Sequence, residues 1–190
     1  MTEGDRTVSS SGHVTWDGSS PAVDRICDVL VTHTPAGGLR LVLQQLTLHT
    51  HGRDAGRHES IDSIVDVEGN LVVVPLVAAV REDPAISARL DSALGELRAA
   101  ITADLGSDVD SLEVIADADG SRRVMVVLSV EVAPEEIAAG STHPALHDGV
   151  HHISHHAPAL EDLRDRLAGP ERGVLRRLWD TVVTRLRPGR

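Results

Sequence analysis

The chain has no phenylalanine, no tyrosine and no lysine, one cysteine and two tryptophans among its 190 residues. Without Phe and Tyr, its interior must be filled by Val, Leu, Ile and Ala, and few rings are left on which nucleobases could stack. Cys27 has no second cysteine to pair with, so no intramolecular disulfide can form and nothing points to an oxidising compartment. It shares helical spacing with Val23, Ile26, Leu30 and Val31, a pattern that predicts a buried packing role for the thiol. Positive charge is scarce as well. Eighteen arginines face 29 acidic residues for a net charge of −11, which opposes general nucleic-acid binding by phosphate neutralisation. No apolar run reaches the roughly 18 residues of a membrane span. The opening MTEGDRTVSSSGH has no hydrophobic stretch of the signal-peptide kind. A cytoplasmic protein with no direct nucleic-acid or membrane partner is expected. The length suits one core with appendages and is too short for a barrel enzyme with a full set of loops.

What charge there is lies unevenly. Residues 164–190 hold eight arginines against Asp165, Glu171 and Asp180, a local balance of +5, which leaves −16 on residues 1–163. Such an acidic body speeds encounter with a basic partner, or serves only solubility. The basic amphipathic stretch 171–187 adds a further option, contact with an anionic membrane surface.

The hydrophobic pattern predicts an α+β order: helix, three-stranded antiparallel meander, helix, β-hairpin, then C-terminal helices. Residues 1–19 are polar and read as a flexible lead-in, with Trp16 docking late. Ser20-Pro21 caps a first helix that should run to about Thr34, where Pro35-Ala36-Gly37-Gly38 turns the chain. Leu39, Leu41 and Leu43 alternate, then Leu46 and Leu48 resume in the opposite phase, which predicts a bulge across Gln44-Gln45. HTHGRDAGRHES reads as a polar loop. Strands follow at Ile61–Val67 and Leu71–Ala79 around Glu68-Gly69-Asn70, with Pro75 pointing to an edge position. Asp83-Pro84 starts a helix in which Ile86, Leu90, Leu94, Leu97, Ile101 and Leu105 share a face, and Gly106 ends it. Leu112, Val114 and Ala116, then Val124 to Val132, form a hairpin over Asp117–Ser121. The units are thus 1–19 flexible, 20–133 an α+β binding domain, 134–157 a His-rich linker and 158–190 amphipathic helices.

The histidines are the first candidates for chemistry. His143, His147, His151 and His155 are spaced by four and His152–His156 repeats the interval, a chelating geometry on a helix. Pro144 and Gly149 argue against a continuous helix, and no H-E-x-x-H is present, so a solvated His-rich linker and no bound metal are expected. LTLHTHG is similar to the paired histidines that metal hydrolases place after a strand, so a metal-dependent hydrolase using His49, His51 and His58, with Asp54 nearby, is an alternative. THTPAGG around His33 lacks the Lys-Ser/Thr of a phosphate loop and follows a helix instead of opening one. No G-x-S-x-G, C-x-x-C or G-x-G-x-x-G occurs, and Asp117, Asp119 and Gly120 suit a turn better than a calcium site. A non-enzyme without a cofactor is expected.

The order of VDRICDVLVTHTP, LRLVLQQLTL, a meander, AISARLDSALGELRAAI and SLEVIADADGSRRVMVVLSV resembles the YezG-like immunity proteins, antitoxins of bacterial polymorphic toxin systems. The likeness covers roughly residues 22–135, and GPERGVLRRLWDTV is similar to the family's terminal segment. It implies a protein that binds and neutralises a cognate protein toxin, in many cases a nuclease. Glu59, Asp62, Asp66, Glu68, Asp108, Asp110, Asp117 and Asp119, near strand ends and turns, are then the candidate partner-binding residues. The order helix, three strands, helix, two strands, helix is also similar to type III secretion chaperones. A monomer suits immunity and a dimer with an apolar groove suits the chaperone; sequence leaves the oligomeric state open.

Overall fold

The computed structural model describes residues 13–138 and 143–169. The fold is α+β, built on one antiparallel sheet of six strands in the order β1-β6-β5-β2-β3-β4. In chain order the elements are β1 (Val14–Thr15), α1 (Pro21–Val31), β2 (Gly38–Thr50), β3 (Arg53–Val67), β4 (Asn70–Pro75), α2 (Val77–Glu82), α3 (Pro84–Leu105), β5 (Ser111–Asp117), β6 (Arg122–Val127), α4 (Pro134–Ala138) and α5 (Gly149–Ala168). The amphipathic stretch expected at 171–187 lies outside the described residues.

Local chemistry sets the two main helices. The Ser20 side chain accepts from Ala22 N at the start of α1, and Asp83 accepts from Ala85 N and Ile86 N at the start of α3, each followed by a proline that needs no partner for its missing N–H. Gly106 closes α3 in the left-handed conformation. Ile26 and Leu30 of α1 meet Leu90, Leu94, Leu97 and Ile101 of α3 over Leu41, Leu43, Ile61, Leu112, Val114 and Val126 of the sheet. Each fully buried Leu or Ile in this layer contributes about 1.5–3 kcal/mol of transfer free energy. Cys27 is buried there, and burial, then Asp28, pushes its thiol up to about 11.

Several expectations need correction. The phase change in β2 is no bulge at Gln44-Gln45: register is continuous from Arg40 to Leu48, and the irregularities fall between Gly38 and Arg40 and between Leu48 and His49. Leu41 and Leu43 pack under α1 and α3, whereas Val42 and Leu46 lie on the opposite face, which is also covered. The leucines change face because both faces are buried.

The stretch HTHGRDAGRHES is strand, not loop. β2 and β3 form one long hairpin closed by His51-Gly52, with Thr50 opposite Arg53. Both turn residues have positive φ, as do Glu68 and Gly69 in the next hairpin. Residues 53–57 are exposed because the hairpin runs beyond the helices. β4 stops at Pro75, and residues 77–82 are helix α2. Proline has no N–H for the ladder, and β4 is indeed the last strand of the sheet. The second hairpin likewise stops at Val127. Beyond it the chain crosses the end of β2, where His49 N donates to the Val132 carbonyl at 2.8 Å.

The end segments pack on the body. Val14 and Thr15 pair with Val126 and Met125, His13 and Trp16 are buried, and the Trp16 indole donates to Asp104 at 2.9 Å. The segment read as a His-rich linker contains α4 and the first half of α5, which lies across β2, β3 and β4 on the face opposite α1 and α3. Asp148 caps α5 by accepting from His151 N. Gly149 is its first residue, and Pro144 lies in the turn before it. Pro158 sits inside α5, which bends at His156 (φ −124°, ψ 17°). That bend relieves the clash a proline ring makes with the preceding turn.

Candidate functional site

Strand alternation builds the most unusual cluster of the molecule. Leu112, Val114 and Ala116 point from β5 into the main core, so Ser111, Glu113, Ile115 and Asp117 face α5. Their partners on β2 are Leu46, Gln44, Val42 and Arg40. An alternating strand ordinarily leaves its polar face to solvent, but here α5 and the turn before it seal that face.

Glu113 is fully buried, with histidine on both sides. His147 Nδ1 lies 3.0 Å from Oε2, and His152 Nε2 lies 2.6 Å from Oε1. Arg40, which can only donate, places Nη1 3.4 Å from His152 Nδ1. The proton of His152 therefore sits on Nε2, where it is donated to Glu113. Burial pushes the Glu113 carboxyl up, but the hydrogen bonds from His147 and His152 outweigh it and hold the group at about 2. Arg40 is itself fixed by two bonds to Asp117, at 2.6 and 2.9 Å.

The backbone around His147 is equally tied down. Gln44 donates to the Ala145 carbonyl at 2.6 Å and to Ser111 Oγ at 3.1 Å, and accepts from His147 N at 2.8 Å. The imidazoles of His13, His147, His151 and His155 stack in series, with centroids 3.7, 4.1 and 4.2 Å apart. Burial, and then the neighbouring histidines, push His151 down to about 4, so that ring is neutral at pH 7. His156 is lowered as well, by burial and then by His152 and Arg40. Ligand atoms of His13, Glu113 and His147 lie within 4.8 Å of one another, the one such group of three among the described residues.

The other histidines do not converge. His49 faces Asp110 at 3.3 Å, and His51 is exposed in the hairpin turn. His58 pairs with Leu46, three residues from His49 along the strand, which leaves roughly 10 Å between them. None of the three belongs to the close ligand group.

The acidic candidates are scattered, and most are already engaged. Glu59 binds Arg81 and Gln45, which keeps its carboxyl low although burial opposes this. Asp62 is buried and accepts from Gly149 N at 2.8 Å; burial keeps its carboxyl raised. Asp66 closes the turn to Gly69 N and stands 3.8 Å from Arg164. Asp110 holds His49 and Val130 N, Asp117 holds Arg40, and Asp119 binds Ser121 and Arg166. Glu68 and Asp108 are exposed. Strand register puts Asp66, Glu68, Asp117 and Asp119 at one end of the sheet and Glu59, Asp108 and Asp110 at the other. They do not form one acidic face.

Glu113, Arg40, Gln44 and His13 were missed by reading the sequence. A charged or amide residue inside two otherwise apolar strands was the available signal. No helix among the described residues is long and apolar enough to cross a membrane. No protein-family model matches the chain, and no curated protein matches it.

Proposed function

We propose that the chain is a non-enzymatic, cytoplasmic protein-binding module of the immunity kind, which neutralises a protein toxin by occupying part of its surface. The observation that carries this reading is the free edge of the sheet. β4 ends the strand order, and its outer edge is unpaired among the described residues. Val72 is 40% exposed and Val67 48% exposed; they are diagonal neighbours, since Val72 pairs with Val65. An edge strand beside exposed valines and without lysine is open to a partner strand. Glu68, exposed in the adjoining turn, and the acidic body favour a basic partner. The sealed histidine cluster and the dispersed His49, His51 and His58 give little support to turnover.

The chaperone reading gains from α5, which completes the order helix, three strands, helix, two strands, helix. Sedimentation separates the two, because a dimer favours the chaperone and a monomer favours immunity.

The test starts from the protein that the untagged chain retains in its native host. That protein is expressed alone in a test strain, then with the wild-type chain or with V67K/V72K, whose lysines blunt the edge without entering the core. Growth arrest by the partner, rescue by wild type and loss of rescue by the folded double variant are expected. Catalytic turnover by the pure chain would overturn the reading, as would rescue by the double variant equal to wild type.

A further inference from the structure

We propose that the first half of α5, residues 149–156, is an acid-released latch, hinged at His156, which uncovers the polar face of β2 and β5 when its stacked histidines take up a proton. Different chemistry holds the two halves of the helix. Beyond the bend, Leu160 and Leu163 are fully buried, and Arg164 Nη1 donates to the Gly69 carbonyl at 3.0 Å. Before it, the buried residues are Gly149 and His152, and Val150 is exposed. The first half thus rests chiefly on imidazole contacts, where the second rests on apolar burial. His156 leaves helical geometry and Pro158 has no N–H for the ladder, so the helix is weakest between the two halves.

Successive rings of His13, His147, His151 and His155 are inclined by 22°, 13° and 18°. Rings stacked face to face aim their in-plane lone pairs side by side, so these are not ligands of a common ion. The stack is instead a place where a proton is poorly received. His151 lies between His147 and His155, with His152 and His156 each 6.0 Å away.

The carboxylates facing these rings are already engaged. From β5, Glu113 gives one oxygen to His147 and the other to His152, while Asp117 holds Arg40 and Arg123. From β3, Asp62 accepts from Gly149 N, with His58 on its far side, and Asp148 accepts from His151 N. β4 carries no titratable side chain. Arg40 of β2 and Arg123 of β6 add positive charge around His156. Burial and the surrounding histidines therefore lower His151 from 6.5 to about 4. A ring lowered in the docked state binds its proton more readily once released. The latch is held fully above about pH 6.5 and loosens as pH falls toward 4. At pH 5 the released fraction rises at most about 30-fold through this ring, less whatever solvent screening its partial exposure allows. His156, lowered too, acts in the same direction.

Residue-resolved hydrogen exchange of the untagged full chain, corrected for the intrinsic effect of pH, is compared at pH 7 and pH 5. Amides 152–156 should open at least threefold more often at pH 5, and at least tenfold more often there than amides 160–168 or those of α3. His151→Phe keeps a ring in the stack but takes up no proton, and it should lose most of the rise. His33→Gln, at the end of α1 on the other face of the sheet, should keep it. Should His151→Phe fail to fold, His151→Gln takes its place. A rise of less than threefold in wild type overturns the proposal, and so does opening of 152–156 in step with 160–168 and α3. It is equally overturned if the folded His151 variant responds like wild type.

Discussion

Replacing Glu113 with alanine removes a carboxylate that has no exposed surface and leaves two imidazole N–H groups beneath α5 without their acceptor. Each buried donor left unpaired costs about 1–3 kcal/mol, and breaking a buried charged pair by deleting one partner costs about 3–5 kcal/mol. Two unpaired donors amount to about 2–6 kcal/mol, and the two routes overlap at a loss of about 3–5 kcal/mol. At about 2–4 °C per kcal/mol for a chain of this size, the melting temperature should fall by roughly 6–20 °C. Glu113→Gln should be milder. His152 must donate through Nε2, because its Nδ1 faces Arg40, so the glutamine carbonyl turns to His152 and its amide turns to His147. His147 can meet that amide by moving its proton to Nε2, which has no partner among the described residues, so the variant loses the charge and buries one unpaired N–H, about 1–3 kcal/mol. The acid limb separates the two ideas further. With the folded carboxyl lowered from 4.5 to about 2, its contribution is complete above pH 4.5 and is lost as pH falls toward 2. Denaturant titrations followed by circular dichroism, at pH 7 and across that window, should show the limb in wild type and lack it in Glu113→Gln. An alanine variant within 1 kcal/mol of wild type, or a glutamine variant as unstable as alanine, would refute the reasoning.

Further outcomes follow from α5 and the core. At Gly149 an added Cβ would stand 2.7 Å from Val73 Cγ1 and 2.9 Å from Asp62 Cβ, so Gly149→Ala should lift the start of α5 and cost about 1–3 kcal/mol by denaturant titration. Leu160 closes a small cluster with Val42 and Ile64, and Leu160→Ala should cost about 2–5 kcal/mol, with amide exchange accelerated chiefly in α5. Cys27, buried and pushed up to about 11, should react with a disulfide reagent at pH 8 only as the protein unfolds, so native protein that labels quickly would contradict its placement.

The parts of this fold legible in the sequence are those specified locally. Ser20-Pro21, Asp83-Pro84 and Gly106 bound α1 and α3, and the stripe from Ile86 to Leu105 has one solution at 3.6 residues per turn. Where burial is two-sided, the same logic misleads. β2 carries Leu41 and Leu43 toward one helical layer and Val42 and Leu46 toward the other, and a strand buried on both faces mimics a slipped one. His51-Gly52 turns a hairpin without the Asn-Gly or Asp-Gly pair that usually announces it. Gly149 and Pro144 were read as breakers, yet one opens α5 and the other precedes it. The candidate site was hidden for a related reason. Glu113 is polar within an alternating strand, and only the histidines of a distant segment, folded over that face, turn an ordinary surface glutamate into a sealed one. Of the eight acidic candidates, Glu59 and Asp62 lie inside β3 and the others near strand ends or turns, and their partners Arg40, Arg81 and Arg166 depend on tertiary packing.

The edge of β4, unpaired among the described residues, carries the proposed function, so backbone hydrogen exchange on β4, with and without the host partner, tests it most directly. The account predicts fast exchange in the free chain at the alternate β4 amides that point away from β3, and strong protection of those amides in the complex. A complex in which β4 exchanges as it does in the free chain, while another surface becomes protected, would contradict it.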